Sequence, residues 1–479
     1  MSDPSLTRRQ LLRAAGLGVT AAGLARAGRP GAAGKKQPNI LMITCHDLGQ
    51  HLGCYGVQTV RSPNIDALAA TGCRFERYFA AAPTCSPSRG VMLTGRYPQS
   101  NGLMGLTHAP WWWKLNGSER HLASLLAEAG YDTTLIGLQH VTQGDPKELG
   151  YRTVLSPRRK ADQTVAAAEK FLREARRGAD RPFFVKVGFF EVHRAGGSYL
   201  HRQPDTSKGL HIPPYLKDTE AIRDDLARFQ ADIHATDAHI GKILAALAAS
   251  QVADETLVIF TADHGIAYPG AKWSLREAGL SIPLILRQPG TALTGGKVHR
   301  ELMSNVDFLP TLLDWVGVKI PANVEGVSFK DVLLGRGART AQPPRQYVFA
   351  QRVSHALRDN TSRSVRDERH KLIRYFEQGR SVVFPTDAVP IDVSRHVGRP
   401  QRRGGARPFV QLYDLQSDPN ELTNVADQPR YAAVRRELSG RLLEWMKQVG
   451  DPILDGPIAT PYYRKAMQSL ADDAGDEAK

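Results

Sequence analysis

The segment Cys85-Ser86-Pro87-Ser88-Arg89 sets a thiol one helical turn ahead of a guanidinium, and Leu93-Thr94-Gly95-Arg96 follows it. Proline suits the opening position of a helix, so the pattern predicts a helix that begins around Pro87. Residue 85 then faces unbonded backbone N–H groups and the positive end of the helix dipole, a place that welcomes an anion. Two further pairs, His46-Asp47 and Asp263-His264, each follow an apolar run. Carboxylates carried by two loops to one sheet edge can converge on a cation, which then activates a nucleophile. His140, in Gly137-Leu138-Gln139-His140, and His193, in Phe190-Glu191-Val192-His193, add groups that can trade protons near neutrality. Lys272, before Trp273-Ser274-Leu275-Arg276-Glu277, adds a cation. A lone His or Lys is ordinarily solvated surface; what sets these three apart is their place relative to the predicted strands.

Those strands are apolar, β-branched runs at 39–44, 133–136, 183–187, 257–261 and 282–286. Helical stripes lie between them. Leu122, Leu125, Leu126 and Ala129 share one helix face before Gly130 stops it, and similar stripes run over 163–176 and 220–249. Strands apolar on both faces that alternate with helices predict an α/β fold, a large mixed, mostly parallel sheet between helix layers. Ligands in such sheets sit at the carboxyl ends of the strands, where 45–47, 137–140, 190–193 and 262–264 all fall. After about Gln346 the segments shorten, which predicts a smaller C-terminal α+β domain with an antiparallel sheet and a helix over 431–449. The stretch 378–408, rich in Arg, Gly and Pro, reads as a long loop. The expected divisions are a leader at 1–34, a catalytic domain at 35–345, the small domain at 346–465 and a disordered tail at 466–479.

The motif at Cys85 together with Leu93-Thr94-Gly95-Arg96 resembles the signature of the sulfatase family, a formylglycine-dependent branch of the alkaline phosphatase superfamily. The resemblance runs from about Asn39 to Leu286 and returns weakly at Leu412-Tyr413-Asp414-Leu415. It implies an alkaline phosphatase-like fold and a sulfuric ester hydrolase acting on sulfate esters or sulfamates. The sulfur of such a group is shielded by oxygens, so its attack needs a strong oxygen nucleophile held in line and positive charge on those oxygens. In the implied mechanism, a maturation enzyme oxidises Cys85 to formylglycine, whose hydrate attacks through one hydroxyl and uses the second to expel sulfate. Arg89 would orient that group, His140 would hold its hydroxyl, His193 would protonate the leaving atom and Lys272 would contact sulfate. A divalent metal, Ca²⁺ by resemblance, would sit among His46, Asp47, Asp263 and His264.

Three departures stand out. His46 replaces the first of the family's paired aspartates, and imidazole suits Mn²⁺, Fe²⁺ or Zn²⁺ where Ca²⁺ prefers oxygen; alternatively His46 stands behind the ligands. Leu138 occupies the place of the lysine in the family's G-K-x-H segment, and the usual proline two residues after His193 is absent.

For the substrate, His108 and Trp111 in Thr107-His108-Ala109-Pro110-Trp111-Trp112-Trp113 offer faces for a sugar ring, against the alternative that the indoles close the core. His355 with Arg363, Arg366 and Lys371 resembles the pocket-mouth segment of heparan N-sulfatase-like members, which implies a sulfated, glycosaminoglycan-type carbohydrate. Competing readings are a phosphonate monoester or phosphodiester hydrolase and an inactive sulfoglycan-binding homologue.

A hydrophobic fraction of 42% with 23% charged residues over 479 positions excludes disorder as the main state. The net charge of +15 would draw polyanions, unless it is an arginine-rich background; the scattered basic residues, without interleaved aromatics, exclude nucleic acid as the expected partner. Thr7-Arg8-Arg9-Gln10-Leu11-Leu12-Arg13, then a short Ala/Gly/Leu stretch and Ala25-Arg26-Ala27, resembles a leader for the twin-arginine (Tat) export machinery, with a periplasmic or secreted destination and no stable membrane span. Four cysteines, Cys45, Cys54, Cys73 and Cys85, are too few for a disulfide framework; Cys45 and Cys73 read as buried, and a bridge through Cys54 stays open.

Overall fold

The computed structural model describes residues 37–156, 160–194, 199–336, 344–353, 361–377 and 408–473, without side chains for 471–473. Its main sheet has eight strands: β1 (Asn39–Cys45), β2 (Cys73–Phe75), β4 (Asp132–Gly137), β5 (Thr153–Leu155), β6 (Phe183–Gly188), β7 (Thr256–Ala262), β8 (Leu284–Arg287) and β9 (Lys297–His299), while β3 (Tyr78–Phe79) pairs separately with β10 (Met303–Ser304). The order is β5-β4-β6-β1-β7-β8-β2-β9. Neighbours pair in parallel except on either side of β8, which alone among these strands runs against the others.

Alternation along the central strands divides the core. In β1, Ile40 and Met42 enter one apolar cluster while Leu41, Ile43 and Cys45 enter the other. Helices Leu122–Glu128 and Phe308–Trp315 cover the first face; Pro63–Thr71, Ala161–Glu174 and Glu220–Ala248 cover the second. Each fully buried Leu or Ile here contributes about 1.5–3 kcal/mol, so both helix layers are firmly fixed. This is the expected mixed sheet between helix layers.

The antiparallel sheet that follows comprises β11 (Val348–Arg352), β12 (Ser362–Arg366), β13 (His370–Tyr375) and β14 (Val410–Asp414), with helix Ala432–Gln448 packed on it. Two expectations need correction. The helix expected near Pro87 spans Cys85–Thr94, so Cys85 lies in its first turn rather than before it. The tail expected to be disordered from 466 begins inside a helix, Pro461–Asp473. The expected loop over 378–408 and the leader at 1–34 lie outside the described residues. No described helix is long and apolar enough to cross a membrane, and all four cysteines are free.

Candidate active site

The parallel strands β1 and β7 are neighbours in register to their last residues, Cys45 opposite Ala262, so the residues after them emerge side by side. The Asp47 backbone N–H donates to Asp263 Oδ1 at 3.0 Å. Asp47 takes a left-handed backbone, φ 53°, as does His140 at φ 60°; such conformations cost on the order of 1 kcal/mol or more and persist where surrounding contacts hold them. At the ends of β4 and β6, Gly137 and Gly188 let two loops close on each other: a Cβ on Gly188 would stand 1.9 Å from Leu138 O. Through that approach the 138–140 and 189–193 loops reach the same edge as Asp47.

Helix Cys85–Thr94 lies over this edge. Its Met92 and Leu93 pack toward the main sheet and its Val91 toward the C-terminal unit. Ser88 Oγ donates to Asp263 O, and Asn305 Nδ2 donates to Ser88 O at 2.9 Å, pinning the helix start. Arg89, with no exposed surface, donates from Nε to Asp263 Oδ2 at 3.0 Å and from Nη2 to Cys45 O at 3.3 Å, its Nη2 also lying 3.0 Å from that Asp263 oxygen.

The result is a buried cluster. Donor atoms of His46, Asp47, Cys85, Asp263 and His264 all lie within 4.8 Å of one another. His46 Nδ1 is 2.7 Å from Asp47 Oδ1 and 3.3 Å from Asp263 Oδ2. His264 Nε2 is 3.1 Å from Asp47 Oδ1 and 3.2 Å from Cys85 Sγ. The opposite nitrogen, His264 Nδ1, donates to Gly265 O at 2.9 Å. Lys272 Nζ donates to Asp47 Oδ2 at 2.7 Å and lies 3.2 Å from His193 Nε2.

Burial raises every acid here, yet the neighbouring positive charges win. Asp47 is held well below the usual carboxylate range by Lys272, His193, His46 and His264 against that burial. Asp263 is lowered by His46, His264 and Arg89. The Cys85 thiol, pushed up by burial, is drawn far below its ordinary value by His46, Lys272 and His264, with His140 assisting. Burial disfavours a charged His264, but Asp263, Cys85 and Asp47 lift its pKa well above the usual value; the same anionic surroundings attract a metal cation. Two carboxylates and two imidazoles, buried and convergent, are a chemically suitable donor set for a divalent ion.

His140 lies beside this cluster, its ring 5.7 Å from that of His46, with burial lowering its pKa to about 4. His193 stacks edge-on to His46 at 4.3 Å. Farther out, His108 stacks flat on His140 at 5.5 Å and meets Trp111 edge-on at 4.9 Å, so both stand at the rim. Trp113 is a core residue, as the alternative held, whereas Trp112 is exposed. His355 lies outside the described residues. Its expected companions do not face the mouth: Arg363 is buried against Asp451, and Arg366 and Lys371 both bind Glu277. Arg363 is neutralised within the C-terminal unit, and Arg366 and Lys371 are neutralised by Glu277 from the preceding part of the chain, which corrects the sequence expectation.

Three features escaped the sequence reading. Lys186, in the middle of β6, is wholly buried and donates from Nζ to Leu138 O at 3.1 Å, beneath the residue that replaces the family's lysine. Burial, reinforced by Arg89 and opposed by Asp263, drives its pKa well below the lysine range. Arg194, next to His193, grips Asp225 with two nitrogens and Tyr199 Oη with one. Asn305 fixes the helix start. A lysine inside an otherwise apolar run was a readable signal; the other two depend on contacts across more than thirty residues.

The sulfatase family profile matches residues 38–318. The chain belongs to the sulfatase family. As a sulfatase it is a sulfuric ester hydrolase. A second profile, N-sulphoglucosamine sulphohydrolase, C-terminal, matches residues 271–398. Human N-sulphoglucosamine sulphohydrolase is 29% identical over 469 residues, covering 88% of this chain and 92% of that relative. A solved 2-O GAG sulfatase superposes with a TM-score of 0.68 at 22% identity, covering 88% of this sulfatase and 94% of that chain. The phosphonate monoester hydrolase of Agrobacterium radiobacter superposes at 0.66 with 22% identity, covering 89% and 99%. At such identities these two structures speak for the fold.

Proposed function

We propose that this sulfatase removes sulfamate or sulfate-ester groups from sulfated, glycosaminoglycan-type amino sugars, using formylglycine made from Cys85 and a divalent ion held by His46, Asp47, Asp263 and His264. The observation that carries the reading is the convergence of those donors with Cys85 within 4.8 Å at a helix start. When bound, the ion supplies positive charge to a sulfate oxygen and to the nucleophile. Arg89 orients residue 85 and balances charge through Asp263. His140, beside residue 85 with a low pKa, accepts a proton. His193 delivers a proton to the departing oxygen or nitrogen, and Lys272, between His193 and Asp47, positions it and meets the sulfate. His108 and Trp111 contact the sugar at the rim. The match over 271–398 and the human relative favour sulfated glucosamine.

The reading assigns catalysis to 35–345 and support to 346–465. It includes maturation of Cys85 by a formylglycine-generating enzyme and export through the Tat route.

Release of free sulfate from a panel of sulfated mono- and disaccharides, with Cys85→Ala as the blank, tests it. Equal release by both proteins across the panel would remove the assignment. The likeness to a phosphonate monoester hydrolase favours one rival, and parallel aryl phosphonate turnover exceeding that of every sulfated sugar selects it. Mass spectrometry of the Cys85 peptide from a competent host separates both from an inactive binder, which would keep its thiol.

A further inference from the structure

Each carboxylate in the cluster already has one oxygen committed to a protein cation. Asp47 Oδ2 accepts from Lys272 at 2.7 Å, and Asp263 Oδ2 accepts from Arg89 Nε at 3.0 Å with Arg89 Nη2 also 3.0 Å away. Asp263 Oδ1 in turn accepts the backbone N–H groups of Asp47 and His264, both at 3.0 Å. These shared oxygens weaken both side chains as bidentate ligands, whereas Ca²⁺ seeks roughly six to eight oxygen donors and commonly draws bidentate carboxylates.

Nitrogen makes up the shortfall. His264 gives its Nδ1 hydrogen to Gly265 O, which orients Nε2 into the cluster; a backbone carbonyl behind the far nitrogen is the usual support of a metal-binding imidazole. His46 is not behind the ligands but among them: its Nδ1 lies 2.7 Å from Asp47 Oδ1, 3.3 Å from Asp263 Oδ2 and 3.9 Å from Cys85 Sγ. The inward donors are thus two imidazole nitrogens and the carboxylates, a mixed set that suits first-row transition dications.

We propose that this site selects a first-row transition dication, Mn²⁺ being the probe of choice, over Ca²⁺, because His46 and His264 both face the point where Asp47 and Asp263 converge. The inference rests on the reading that a divalent ion is held here and names its class. His46 is the selecting residue.

The full chain, purified from a host that modifies Cys85, is stripped with chelator and dialysed against equal Ca²⁺ and Mn²⁺. Elemental analysis is expected to find about one Mn²⁺ per chain, in roughly tenfold or greater excess over Ca²⁺. Pulsed electron paramagnetic resonance of the Mn²⁺ form is expected to show two directly bound nitrogens, and one in His46→Asp, whose Mn²⁺-to-Ca²⁺ ratio falls by roughly tenfold. A wild-type site filled by Ca²⁺, or Mn²⁺ bound without nitrogen, overturns the inference and leaves the hydrolase reading intact. Binding of neither ion overturns both. If His46→Asp does not fold, the wild-type competition and nitrogen count decide alone.

Discussion

In the C-terminal unit Arg363 meets Asp451 through two nitrogens, one at 2.7 Å, and both side chains have no exposed surface. At the edge of the main sheet Asp47 and Asp263 are equally buried, but their oxygens are divided among His46, His264, Lys272, Arg89 and two backbone N–H groups. In the first region the two charges meet each other directly, Gln99 Nε2 and the Ile453 N–H take further Asp451 lone pairs, and little is left for a ligand. The second gathers donors from loops after β1 and β7 and from the start of the 85–94 helix. Burial of charge alone therefore does not mark a site; convergence of donors from several elements does.

The sharpest separation of the two regions is Cys85→Ala. Sulfate release should fall by about 10⁴-fold or more if residue 85 supplies the nucleophile as proposed, while the melting temperature should hold. Unchanged turnover would erase the distinction. Asp451→Ala is the converse: it strands a buried guanidinium and should cost about 3–5 kcal/mol in denaturant unfolding, with kcat per folded molecule unchanged. A kcat loss matching that of Cys85→Ala would mean that the two regions act as one.

His193→Gln should lower kcat about 10²-fold on sugar sulfamates and much less on an aryl sulfate whose leaving group needs no proton. Equal losses on both would assign His193 to packing. The smallest effect is expected at Glu421, which lies between the regions, faces Lys371 at 3.7 Å and accepts the Glu277 N–H. Burial, opposed by Lys371 and reinforced by Glu277, raises its pKa from 4.5 to about 7. The folded state thus holds that proton more tightly than the unfolded state, so this contribution is complete below pH 4.5 and is lost as pH rises toward about 7. Melting temperatures measured across that window should decline in the wild type and decline less in Glu421→Gln.

Much of the site was legible because strand ends are. The runs that became β1, β4, β6 and β7 are apolar on both faces, and the polar residues just beyond them had to lie at one edge once the sheet was parallel. Strands β2, β5 and β9, three residues each, are too short for a period to show. Pro87 misplaced the helix start because proline is also tolerated within a helix's first turn, after Thr84 and two further residues. Arg363, Arg366 and Lys371 were misread because a sequence displays a cation but not the carboxylate, Asp451 or Glu277, that folding brings to it.

The clamps on Asp47 and Asp263 bear on durability. Because Lys272 and Arg89 already offset the mutual repulsion of the two carboxylates, the scaffold carries its own counterions. Stripping the proposed ion should therefore silence the enzyme without unravelling it, lowering the melting temperature only by ordinary ligand linkage, and resupply should restore turnover without a refolding step.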